Sequence, residues 1–225
     1  MTFSPDSNPP RIDRPYNPLE KKRLADSIIR EMLHHDAESL PPADIFPGSG
    51  IYAIYYRGDL PLYEPLSRAN ANRWRFPIYV GKATPPGGRK GTHFSEEAPL
   101  TASVYRRLQE HADSIKQTKD LSIGDFRCRH LFVDDIWIPL AESLLIDLTQ
   151  PVWNCVLDGF GNHPVGKGRG RGRRSTWDTL HPGRKWALRL AANPCSSSEL
   201  AKRVTEHLTD FFTHPPDMDA LLPRH

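Results

Sequence analysis

Two short runs, Gly50-Ile51-Tyr52-Ala53-Ile54-Tyr55-Tyr56 and Pro77-Ile78-Tyr79-Val80-Gly81-Lys82, constrain this chain more than any other part of it. Each is rich in β-branched and aromatic residues and is bounded by proline or glycine, a composition that suits a pleated, half-buried surface. Side chains alternate along a strand, so Tyr52, Ile54 and Tyr56 share one face while Ile51, Ala53 and Tyr55 share the other. One face is therefore expected to be wetter than that of a plain core strand. Taken alone, the pair reads as a structural hairpin whose tyrosines half-bury their rings.

Between the runs lies an insertion, 57–76, with Gly58, Pro61, Pro65 and the arginines Arg68, Arg73 and Arg75 beside Trp74. It is long for a hairpin loop, and two readings stand: a segment that lies on a phosphate backbone, or a cover for the sheet edge. A second loop, 84–100, carries Pro85-Pro86-Gly87-Gly88-Arg89-Lys90-Gly91 and brings Arg89 and Lys90 close in sequence to the second tyrosine strand.

Around this centre the periodicity predicts an α+β domain: a small antiparallel or mixed sheet flanked by helices, with an N-terminal helix and a C-terminal helical extension. Residues 1–16 read as a mobile arm, and 17–158 as the core. The first helix is expected from Asn17-Pro18-Leu19-Glu20, a capping box with proline at the first helical position, to about His34. A helix from about Thr101 to Ile115 places Arg107 and His111 four residues apart on one side. Phe126 to Val133 alternates as a strand, and Pro139 to Leu148 forms an apolar helix with Glu142 near its start. Trp153-Asn154 opens an irregular segment.

From 159 to 186 the composition turns basic and glycine-rich, with His163, Lys167, Arg169, Arg171, Arg173 and Arg174 and, further on, Arg184 and Lys185. Alternating glycine keeps the backbone bare, so the run can follow a phosphate ladder with guanidinium forks on phosphate or guanine; a basic linker has the same composition. Trp177, Leu180 and Trp186 tether it to ordered structure. Residues 187–225 hold a helix begun by the capping box Ser196-x-x-Glu199, with Leu200, Val204, Leu208, Phe211 and Phe212 as its stripe, then a tail from 213.

A net charge of +3 over 225 residues does not by itself announce nucleic acid. Cys128, Cys155 and Cys195 form no C-x-x-C pair, which argues against a disulfide framework and a zinc ribbon and fits a reducing cytoplasm. The first residues show no signal-like pattern and no run is long enough to span a bilayer, so a soluble cytoplasmic protein is expected.

Gly50-Ile51-Tyr52, Tyr79-Val80-Gly81, the Arg107/His111 helix, Glu142 and Asn154 occur in the order found in the GIY-YIG nuclease superfamily, which the chain resembles from about Gly48 to Trp186. Val80 replaces the isoleucine of the second motif. The long insertion, the Arg-x-x-x-His helix and the stretch from Leu157 to His163 are most similar to the type II restriction endonucleases of that superfamily.

The resemblance implies a site-specific double-strand DNA endonuclease. In it Glu142 is the metal ligand, a lone carboxylate suited to hydrated Mg²⁺, with Mn²⁺ able to substitute. Arg107 clamps the scissile phosphate, Tyr52 takes the proton from the attacking water, Tyr79 positions water or phosphate, and Asn154 steadies Glu142 or the substrate. An ordinary phenol titrates near pH 10, so Tyr52 needs help, for which His111, Lys82 and the metal are all available. Residue by residue, plainer readings exist: an Arg107–Glu142 ion pair, a solvated His111, a turn at Asn154. The family order outweighs them. The expected partners are double-stranded DNA, a second copy of the chain on a GC-rich palindrome, and a cognate methyltransferase encoded nearby. The DNA-contacting residues are expected to be Arg73, Arg75, Arg89, Lys90, His163, Lys167, Arg169, Arg171, Arg173, Arg174, Arg184 and Lys185. A nicking repair or homing nuclease and a non-catalytic DNA-binding protein are the alternatives.

Overall fold

A computed structural model describes residues 20–84, 102–163 and 172–221. Among them, seven α-helices surround one four-stranded sheet. In chain order these are α1 (Lys21–His34), β1 (Glu38–Ser39), β2 (Gly50–Tyr56), α2 (Glu64–Ala69), β3 (Pro77–Ala83), α3 (Ser103–Lys116), β4 (Phe126–Phe132), α4 (Ile138–Thr149), α5 (Val152–Cys155), α6 (Thr176–Leu180) and α7 (Ser197–Thr213). The strands run β1-β4-β2-β3 and every neighbouring pair is antiparallel, which resolves the expected antiparallel or mixed sheet to a purely antiparallel one.

The two tyrosine strands do pair, and β2 lies inside the sheet between β3 and β4. All seven of its residues are buried, so the wet face expected from its tyrosines is absent. The cause is position: hydrogen-bonded neighbours cover both edges, and α3 and α4 pack against the strand. Tyr56 packs on Tyr63 and Phe126, while Tyr55 lies beneath the Arg129 guanidinium at 5.0 Å. Ile51 and Ile54 are fully buried, each contributing about 1.5–3 kcal/mol to the core.

The insertion 57–76 is not one loop. Pro61–Tyr63 forms a 3-10 turn that runs into α2, with Pro61 and Pro65 in first-turn positions where a missing N–H costs nothing. Its closure is made by Asn70, which is fully buried. Asn70 Nδ2 donates to the carbonyls of Tyr56 and Phe76, and Oδ1 accepts from the N–H groups of Arg75 and Phe76. One amide thus staples the insertion to the ends of both tyrosine strands. Trp74 carries Arg57 over its ring at 4.4 Å, so this part of the insertion packs on the protein itself.

Other boundaries moved. The first described helix starts at Lys21, with Glu20 in the capping position and no side-chain cap; residues 17–19 and the arm 1–16 lie outside the described residues. The segment read as irregular at Trp153-Asn154 is the short α5. The expected tail folds back: Met218 is buried and Asp219 pairs with Arg75 at 2.8 Å. At α7 the capping box of Ser196 and Glu199 forms as its spacing predicts. No described helix is long and apolar enough to cross a membrane.

Candidate active site

Five elements converge on one place. Tyr52 comes from β2, Tyr79 and Lys82 from β3, Arg107 and His111 from α3, Glu142 from α4 and Asn154 from α5. Antiparallel register sets Tyr52 opposite Gly81, and a Cβ at Gly81 would stand 2.4 Å from the Tyr52 hydroxyl. The glycine thus leaves the space that the phenol fills. Tyr52 and Tyr79 ring centroids are 6.4 Å apart, and His111 lies 5.5 and 5.0 Å from them.

The floor is a hydrogen bond: Tyr52 Oη lies 2.8 Å from His111 Nε2. Both residues are buried, at 0% and 2% exposure. Burial pushes the Tyr52 phenol well above its usual range; Tyr79 adds to the rise and Arg107 draws it part of the way back. Burial also drives the His111 imidazole well below its usual range, helped by the charges of Arg107, Arg184 and His163. At neutral pH both partners are therefore uncharged, and a neutral imidazole that accepts at Nε2 carries its proton on Nδ1.

The mouth is charged. Lys82 Nζ donates to Glu142 Oε2 at 2.6 Å, with side-chain exposures of 41% and 18%. Arg107 Nη1 donates to Glu110 Oε2 at 2.8 Å and meets His163 Nε2, while Nη2 donates to the Gly161 carbonyl at 3.3 Å. Among the described residues no group of three or more His, Cys, Asp or Glu could hold a metal ion. Glu142, part-exposed beside Lys82, is a single carboxylate, the kind of donor that a hydrated divalent ion would take.

Asn154 spends its amide on the backbone of Val80. Its Oδ1 accepts from the Val80 N–H and its Nδ2 donates to the Val80 carbonyl, both at 2.8 Å. β3 is an edge strand, and the amide acts there as a one-residue neighbour that holds Tyr79 in line.

Residues 44–208, well over half of the chain, match the family model of the Eco29kI GIY-YIG domain. The chain belongs to that family. It is a restriction-type GIY-YIG nuclease, a hydrolase whose substrate is DNA. A comparison with curated proteins finds no match.

In this Eco29kI-type domain the expected DNA-contacting residues scatter. Arg73, Arg173 and Lys185 are exposed, and Arg174 is half-buried. His163 is exposed but lies at the mouth, beside Arg107 and 3.6 Å from Glu110. Arg75 is tied to Asp219. Arg184 is not at the surface at all: it is 1% exposed, fixed by Asp178 and backbone carbonyls. Its neighbour Lys185 is the exposed cation of that pair. Arg89, Lys90, Lys167, Arg169 and Arg171 lie outside the described residues.

Sequence reasoning overlooked Glu110 and Phe160. Glu110 follows Arg107 by three positions, a spacing that puts both on one helix face, so it was readable. Phe160 stacks on His111 with centroids 4.5 Å apart and planes at 20°, a contact no local pattern announces.

Proposed function

We propose that this nuclease is a Mg²⁺-dependent, site-specific endonuclease that cuts both strands of a GC-rich palindrome as a homodimer. The observation that carries the chemistry is the buried Tyr52–His111 hydrogen bond beneath Arg107 and Glu142.

The phenol is held neutral, so it is no standing base. As water attacks phosphorus, its proton passes to the Tyr52 oxygen while the Tyr52 proton passes to His111 Nε2; the phenol stays neutral and an imidazolium forms. The new P–O bond forms as the bond to the 3′ oxygen breaks, leaving a 5′-phosphate and a 3′-hydroxyl that takes its proton from solvent. Arg107 grips the non-bridging oxygens with its planar fork. The phosphate's negative charge offsets that of Arg107, which otherwise helps keep His111 uncharged, so substrate makes the imidazole a better proton acceptor. Tyr79 places the water or phosphate over the phenol. Glu142 would hold Mg²⁺, whose charge stabilises the departing oxygen when bound. Lys82, on Glu142 here, then has the scissile phosphate as its alternative partner.

Site specificity draws on exposed arginines such as Arg73 and Arg173, since arginine to guanine is the commonest specific contact. One centre per chain and two strands to cut favour a two-fold dimer. A cognate methyltransferase gene nearby would protect host DNA. The test is supercoiled plasmid digested in Mg²⁺ by wild type, Tyr52→Phe and Glu142→Ala, with the ends sequenced. Discrete ends from wild type alone support the reading. Nicked product from a monomer points to a repair or homing nuclease, and identical plasmid patterns for wild type and Glu142→Ala sink the enzymatic reading.

A further inference from the structure

Arg184 has no route to solvent, yet every N–H it carries is engaged. Its Nε donates to Asp178 Oδ1 and Nη2 to Asp178 Oδ2, both at 2.7 Å. Its Nη2 also donates to the Gly159 carbonyl at 2.7 Å, and Nη1 donates to the carbonyls of Phe160 and Asn162 at 3.0 and 3.2 Å. A guanidinium has five N–H donors, and these bonds account for all of them. Trp177 and Trp186 lie 4.7 and 4.8 Å from its central carbon. Asp178 is itself held, accepting from Ser175 Oγ at 2.7 Å.

The three carbonyls belong to one turn, and that turn is a wall of the reaction centre. Phe160 stacks on His111 and meets Tyr79 edge-on at 4.9 Å. The Gly161 carbonyl accepts from Arg107, and a Cβ at Gly161 would stand 2.9 Å from the Tyr79 hydroxyl. His163 then reaches Arg107. Without Arg184 the turn would lose the one group that ties its three carbonyls together and would keep only its own closing bond, from the Asn162 N–H to the Gly159 carbonyl.

We propose that Arg184 is a positioning residue for phosphodiester hydrolysis: clamped by Asp178, it fixes the Gly159–Asn162 turn so that Gly161 orients Arg107 and Phe160 orients His111. This rests on the nuclease reading above. It assigns Arg184 to the chemical step, not to DNA contact, although it lies in a basic segment.

The experiment measures single-turnover cleavage of plasmid in Mg²⁺, and DNA affinity in Ca²⁺, for wild type, Arg184→Gln and Arg184→Lys, with folding followed by circular dichroism. Arg184→Gln is expected to lower the rate by about tenfold or more, the scale of loss that small misplacement brings, while affinity holds within about threefold. Arg184→Lys, which keeps the charge but not the fork, is expected to fall between. The acid limb of the rate should move to higher pH in Arg184→Gln, because a cation facing His111 is lost while Tyr52, Tyr79, Arg107 and His163 remain around it. A folded Arg184→Gln that cleaves at the wild-type rate overturns the proposal, as does affinity falling in step with rate, which would mean DNA contact. Failure of both variants to fold would make Arg184 a determinant of the fold alone and also overturn it. Wild type that cuts no DNA at all would instead bring down the nuclease mechanism on which the proposal stands.

Discussion

Tyr52 Oη and His111 Nε2, 2.8 Å apart and both buried, form a neutral pair at the floor of the site. Removing the hydroxyl with Tyr52→Phe leaves the imidazole nitrogen without its partner and the attacking water without a relay. Single-turnover cleavage should fall by about 10²–10⁴-fold, the usual worth of a positioned proton acceptor. Stopped plasmid assays in Mg²⁺ measure it.

The same pair sets a stability window. The His111 value in the folded chain is lowered well below 6.5, so the unfolded chain takes up a proton first as pH falls and stability drops below about pH 6.5. The raised Tyr52 value works the other way: the unfolded phenol ionises first, near pH 10, and stability drops as pH rises beyond it. Urea midpoints should therefore peak between those limits, and His111→Gln should flatten the acid side.

Glu142→Gln should abolish cleavage while changing stability by less than about 1 kcal/mol, because a part-exposed ion pair with Lys82 contributes little. EDTA should stop the wild type and added Mg²⁺ restore it. A urea melt beside the plasmid assay separates the two effects.

Asn154→Ala leaves the Val80 N–H and carbonyl without their shared partner, which should cost about 1–3 kcal/mol. Because Val80 adjoins Tyr79, the cleavage rate should fall as well. Asn154→Asp keeps the acceptor and loses the donor, so both its urea midpoint and its rate should be intermediate.

A second buried histidine should behave differently. His181 Nε2 is 2.6 Å from Tyr63 Oη, His181 Nδ1 is 2.7 Å from Asp120, and Trp153 Nε1 donates to the Tyr63 oxygen. None of these atoms belongs to the reaction centre. His181→Phe should destabilise by about 2–3 kcal/mol, the range for a broken buried network, and leave the cleavage rate of the folded fraction near wild type. Rate and melting measured on one preparation decide it.

Local chemistry made much of this legible. Alternation and composition found β2, β3 and β4, helical spacing put Arg107 and His111 on one side of α3, and the Ser196/Glu199 box marked the start of α7. What stayed hidden depends on contacts between distant segments. Nothing near Asn70 announces that its amide will close the insertion on four backbone groups, and nothing near Arg184 says that Asp178 and three carbonyls will draw it inside. An arginine in a basic stretch looks like a DNA ligand until its partners are counted. The interior position of β2 was likewise invisible, because it follows from the order of strands and not from their residues.

The amide of Asn154 on Val80 has a bearing on assembly as well. An exposed strand edge invites another chain to zip on through its backbone, a common route to unintended association. At Val80 that invitation is withdrawn, since an incoming strand would find both backbone groups already occupied. In the proposed dimer the β3 edge is therefore a poor place to continue the sheet from one molecule into the next, which favours side-chain surfaces, whose sequence can encode a two-fold axis, as the meeting place.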